Sequence, residues 1–92
     1  MCQLSREEKI QQLFELILQL ETQQDCQALF DDLCTDKEIE KMAERVYAAK
    51  LLMAGQTYNQ VIAETEISSA TLSRVSRCVQ YGKGYSNVLK MK

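Results

Sequence analysis

Between Ser68 and Arg77 the chain runs SSATLSRVSR, which places four serines, one threonine and two arginines within ten residues. Short hydroxyls can bond to base edges, small side chains let a backbone approach closely, and arginine reaches a phosphate or the polar edge of guanine. Carried on a helix, Ser68, Ser69, Ala70, Thr71 and Ser73 would supply the short contacts and Arg74 and Arg77 the long ones. The helix N-terminus would itself favour a phosphate. The same residues also suit an ordinary polar helix face, and the stretch alone leaves both readings open.

Other chemistry finds little support. The chain has no histidine to act as a base and no glycine-rich loop to cradle a phosphate, so no catalytic residue is assigned and the protein is expected not to be an enzyme. Cys2, Cys26, Cys34 and Cys78 stand far apart with no C-x-x-C pair, so neither a zinc site nor a disulfide framework is indicated and no metal or cofactor is expected. They read as reduced thiols of a cytoplasmic protein, with Cys78 a small buried hydrophobe. No signal peptide is found, and apolar windows are broken well before the roughly 20 residues that span a bilayer, so no membrane partner is expected.

The 92 residues carry a net charge of −2, but the charge is graded along the chain. Met1 to Gly55 holds eleven acids and six bases, whereas Ile67 to Lys92 holds no acid and five bases: Arg74, Arg77, Lys83, Lys90 and Lys92. Screening confines a surface field to about 8–10 Å, so an acidic protein can still offer one basic face to phosphate.

These residues need helices to hold them. With no proline and three glycines the composition favours helix throughout. Ser5-Arg6-Glu7-Glu8 is a capping box, and the helix it opens carries Ile10, Leu13, Phe14, Ile17 and Leu18, with Leu16 and Leu20 widening the stripe towards a second contact. A second helix is predicted over about Gln24 to Leu33, ended by Asp31 and Asp32. Thr35-Asp36-Lys37-Glu38 opens a longer one through Val46, Ala49 and Met53 to Gly55, on which Arg45 and Lys50 are expected to form surface ion pairs. Thr57-Tyr58-Asn59-Gln60 caps a short helix ending near Glu66. Ser68 or Ser69 opens the next, with Ala70, Leu72, Val75 and Val79 inward and Ser69, Ser73, Arg74, Arg77 and Gln80 outward. Two short helices three or four residues apart have helix-turn-helix spacing. Residues 81–92 read as a flexible basic tail with one last turn.

From Leu29 to Tyr85 the ordered whole resembles the tryptophan-repressor family, especially its bacterial branch of TrpR-related YerC/YecD-type proteins. LCTDKEIEKMAERV, the GQTY junction, SSATLSRVSRC and YGKGY carry the resemblance. It implies an all-α fold of five to six helices with a C-terminal helix-turn-helix, assembled as an intertwined homodimer. Residues 1–92 would form one domain: dimerisation helices over 1–34, a scaffold helix over 35–55, the helix-turn-helix over 57–80 and the basic tail beyond. Double-stranded DNA is the implied partner. Thr57, Tyr58 and Asn59 would hold phosphate, Ser69, Ala70 and Ser73 would face bases, and Ser68, Thr71, Arg74, Arg77 and Lys83 complete the DNA-binding set. Two half-sites about 34 Å apart would require a pseudo-palindromic operator.

The chain also departs from the family. Glu66 stands where the family's turn carries glycine, which implies a cost of about 1 kcal/mol at positive φ, a reshaped turn and a carboxylate near phosphate. Thr35, Arg45 and Arg74 match the family's tryptophan pocket, but Val75 replaces a glycine, Cys78 a serine and Asp32 an apolar wall residue. Added methyls in a packed site cost about 1–3 kcal/mol, so the pocket is degenerate and free tryptophan is not expected to be the effector. The expected function is a sequence-specific, dimeric DNA-binding transcription regulator, a repressor by resemblance. The alternative is a helical protein-interaction module that has lost DNA binding, which Glu66 and the acidic N-terminal half support.

Overall fold

The computed structural model describes residues 3–89, and four of the helices among them begin directly after Ser5, Thr35, Thr57 and Ser68, where the sequence places its capping residues. α1 (Arg6–Leu18) opens at Ser5: its hydroxyl accepts from the Glu8 amide at 3.1 Å, and its own amide donates to Glu8 Oε1 at 2.8 Å. The bond from the Ser5 amide, seconded by the hydroxyl, holds the Glu8 carboxyl below its ordinary pKa. α2 (Gln23–Leu33) opens at Thr22, which accepts from the Asp25 amide at 3.0 Å. α3 (Asp36–Met53), α4 (Tyr58–Glu64), α5 (Ser69–Tyr81) and α6 (Gly84–Val88) follow. Among the described residues the fold is all-α, with six helices, within the five to six that the resemblance implies.

The chain divides into two compact units, Met1–Thr35 and Asp36–Lys92. In the first unit neither α1 nor α2 buries a residue: Leu13, Phe14, Leu16 and Leu18 remain 36–83% exposed, and Leu33 lies open on α2.

The second unit holds the core. Ala48 and Ala49 on α3, Val61 on α4, and Leu72 and Val75 on α5 are buried together, with Leu51, Leu52, Ile67, Val79, Tyr85 and Leu89 packed around them. The two alanines present almost no bulk, so α5 can lie close against α3, its principal neighbour. Burying Leu72 contributes roughly 1.5–3 kcal/mol.

Glycine is required where α3 stops. Gly55 has φ +97°, its amide donates to the Leu52 carbonyl at 3.0 Å and the Gln56 amide donates to the Leu51 carbonyl at 3.1 Å. That pair of bonds is a Schellman closure, which needs a left-handed residue at this position. Gly82 answers a different demand at the end of α5, because a Cβ there would sit 2.7 Å from the Cys78 carbonyl oxygen.

The structure departs from the sequence expectations at several points. α4 stops at Glu64, two residues short of Glu66, because the backbone turns extended at Thr65 (φ −127°, ψ 171°), whose hydroxyl donates to the Val61 carbonyl at 2.8 Å. Residues 81–89 are not a loose tail: α6 places Tyr85 and Leu89 against the core. Lys90 and Lys92 lie outside the described residues. Ala70, expected inward, is exposed, since the buried row of α5 is Leu72, Val75 and Ser76. Neither Arg45 nor Lys50 forms the expected ion pair among the described residues.

Replacing Gly55 by alanine isolates the backbone constraint, because nothing lies within 4 Å of the added methyl. Gly55→Ala is expected to destabilise the protein by about 1–2 kcal/mol, read as a lower urea midpoint at unchanged slope. An unchanged midpoint would show that this turn tolerates a side chain.

Candidate nucleic-acid interface

The two short helices of the second unit form the candidate interface, and each is held at its start by a side-chain cap. Thr57 and Gln60 cap α4 reciprocally: the Gln60 amide donates to Thr57 Oγ1 at 3.2 Å and the Thr57 amide to Gln60 Oε1 at 2.8 Å. Tyr58 and Asn59 occupy the first turn, both exposed. Ser68 caps α5, accepting from the Thr71 amide at 3.2 Å while its hydroxyl donates to Thr71 Oγ1 at 3.0 Å. These two hydroxyls are therefore engaged with each other, and Thr71 is half-buried.

Beyond the cap, α5 divides cleanly. Leu72, Val75 and Ser76 are buried, and the hydroxyl of Ser76 accepts from Gln80 Nε2 at 3.2 Å, which satisfies the one polar group in that row. Ser69, Ala70, Ser73, Arg74 and Arg77 are all exposed, and no ion pair engages either arginine among the described residues. Spacings of one, four, five and eight residues put these five on one helical face. Lys83, exposed beside the exposed Tyr81, precedes α6.

The turn carries no strain of the kind Glu66 was expected to impose. Among the described residues no non-glycine residue has positive φ. Because α4 ends early, Thr65 and Ser68 are both extended, and the reversal is spread over several residues instead of one left-handed position. Glu66 remains an exposed carboxylate at the turn.

A cleft of about 830 Å³ lies between α3 and this turn, lined by Lys37, Glu40, Lys41, Glu44, Arg45 and Tyr47 on one side and by Glu66, Ile67, Ser68 and Thr71 on the other. Three cations and three carboxylates balance there, so the cleft is no net attractor of phosphate. Of the residues expected in a degenerate ligand pocket, Arg45 alone lines it. Val75 is 2% exposed within the core, Cys78 is a half-buried free thiol, Arg74 is exposed and Thr35 closes the first unit.

Sequence reasoning missed two features. Ser76 is buried although it is polar, and its place four residues after Leu72 and three before Val79, on the apolar row of α5, could have signalled that. Tyr47 reaches from α3 to α4, where its hydroxyl donates to Glu64 Oε2 at 3.3 Å. Nothing in residues seventeen apart announces that contact.

Comparison with known proteins gives a consistent result. The family described as Trp repressor protein matches residues 8–92. An uncharacterized protein, YerC, of Bacillus subtilis (strain 168) is 46% identical over 77 residues, covering 84% of this chain and 74% of the relative. The crystal structure of a candidate Trp repressor from Staphylococcus aureus superposes with a TM-score of 0.83 at 40% identity, covering 89% of this chain and 83% of the other. That of a TrpR-like protein from Eubacterium eligens ATCC 27750 superposes equally well, 0.83, at 37% identity over 89% and 86% of the two chains.

The capping and exposed serines should separate experimentally. Ser68→Ala is expected to cost about 1 kcal/mol of stability through the lost cap, whereas Ser69→Ala should change it by less than about 0.5 kcal/mol. Equal thermal-unfolding losses for the two would show that Ser68 does not act as the cap.

Proposed function

The chain belongs to the Trp repressor family, and from that membership we propose that it is a sequence-specific DNA-binding transcription regulator, a repressor, acting as a homodimer in the cytoplasm. The observation that carries the reading is the outer face of α5. Ser69, Ala70, Ser73, Arg74 and Arg77 form a polar and basic surface with no acid on the helix, capped at its N-terminus and backed by buried Leu72 and Val75. A reading helix needs this division, because the core must fix the backbone while the opposite face stays narrow enough to enter a major groove. Thr57, Tyr58, Asn59 and Lys83 are assigned to backbone phosphates, which set register without specifying sequence.

Dimerisation is supported by the first unit. Two helices with an apolar stripe and no buried residue have nothing of their own to pack on, and exposed aliphatic surface of that extent marks a contact. A second copy supplies it, and pairs the two helix-turn-helix elements for a pseudo-palindromic site.

Tryptophan is not the effector in this reading. Val75 is committed to the core where the resemblance implies a glycine that leaves space for the indole ring, which supports this reading.

Selection from a random duplex library, with and without tryptophan, tests all of this. A two-fold-symmetric site should be enriched equally in both arms. Enrichment confined to the tryptophan arm would overturn the assignment of Val75, and none in either arm would favour a protein-interaction module. On the selected site, Arg74, Arg77 and Lys83 from two copies could neutralise six phosphates, for a log–log salt slope of about −5. Arg74→Ala or Arg77→Ala should each flatten it by about 2; a slope unchanged in both would remove these arginines from the interface. Sedimentation across micromolar concentrations should show a dimer, and Phe14→Glu should convert it to monomer; a wild-type protein monomeric throughout would exclude the assembly.

A further inference from the structure

α4 is the less firmly seated half of the helix-turn-helix. It has seven residues, and only Val61 among them is buried. A helix this short held at one buried point can rock about it, and the turn that follows would pass the motion to α5. A second attachment lies one turn further on. Tyr47 Oη donates to Glu64 Oε2 at 3.3 Å, joining the scaffold helix to the last residue of α4. Tyr47 directly precedes Ala48 and Ala49, the two wholly buried residues of α3, so its backbone is as fixed as any in the unit. Its ring has only two torsions to restrict, so the hydroxyl is presented at small entropic cost.

We infer that Tyr47 and Glu64 are a positioning pair that fixes α4 against α3 and so sets the angle at which α5 is offered to DNA. This role rests on the DNA-binding reading. The charge of Glu64, with desolvation, the hydrogen bond to Glu64 and the charge of Glu44 adding to it, raises the Tyr47 pKa, so the phenol stays protonated as a donor. Val61 and the pair lie about 4.5 Å apart along the helix axis, and two points constrain a tilt that one does not. Neither residue faces DNA in this assignment, so both act through the position of α5.

Three variants in the full-length protein test the pair. Tyr47→Phe removes only the hydroxyl. Glu64→Ala removes the acceptor but is the better helix former, so any loosening cannot come from propensity. Glu64→Gln keeps a carbonyl acceptor while removing the charge. Amide hydrogen exchange is read at Val61 and Thr65, whose amides bond to the carbonyls of Thr57 and Val61. At 3.3 Å the bond is long, so the expected effect is small: about two- to fivefold faster exchange in Tyr47→Phe and Glu64→Ala, with α3 unchanged. Affinity for the selected duplex should fall by a similar factor in both. Glu64→Gln should keep both wild-type protection and wild-type affinity, since the acceptor remains and the pair is not in contact with DNA.

Wild-type exchange in Tyr47→Phe would overturn the pair, as would Glu64→Gln loosening α4 as much as Glu64→Ala. Faster exchange with unchanged affinity would overturn its role in presenting α5. A parent protein that binds no duplex would fail the DNA-binding reading itself, and exchange at α4 would still decide whether the pair holds the helix.

Discussion

Close approach of α5 to α3 across Ala48 and Ala49 is the contact on which the second unit depends. With both alanines fully buried, the distance between the helices is set by backbone against the side chains of Leu72 and Val75. A larger residue at either position would push α5 away, and with it Val61 of α4 and the packing of Tyr85 and Leu89. Among the described residues five hydrophobic side chains are buried, so each carries a large share of the specificity of packing. The outer face of α5 takes its distance from the scaffold helix from this contact.

The same helix shows how one element serves both the core and the surface. Its buried row requires apolar side chains at 72, 75 and 79, and helical geometry then leaves 69, 70, 73, 74 and 77 for water or a ligand. Ser76 is the point where the two demands meet. It is 5% exposed and tolerated because Gln80 donates to its hydroxyl. A polar residue there keeps the stretch hydrophilic along its length without leaving an unpaired hydroxyl in the core.

Electrostatics in the second unit are local. The cleft beside the turn balances three cations against three carboxylates, whereas the outer face of α5 carries arginines without acids. Glu64 and Glu66 flank the turn, yet Glu64 is engaged by Tyr47. Screening over about 8–10 Å lets these neighbouring surfaces differ in sign within a protein of net charge −2.

The sequence by itself determined the helices, because caps and stops are local chemistry. Ser5, Thr22, Thr57 and Ser68 each accept from an amide three residues on, and Gly55 supplies the left-handed residue that closes α3, so nothing distant is needed to place these boundaries. Periodicity also separated most of the buried from the exposed row of α5. Tertiary structure decided what depends on distance through space. It turned Ala70 outward, drew Tyr85 and Leu89 onto the core, left Arg45 and Lys50 without the expected ion pairs among the described residues, and spread the turn at Glu66 so that no left-handed residue was required there. It also brought Tyr47 to Glu64, seventeen residues away. Sequence pattern reports the face a side chain occupies on its own helix, but the neighbour it meets follows from how helices pack, and that is fixed by the few buried residues between them.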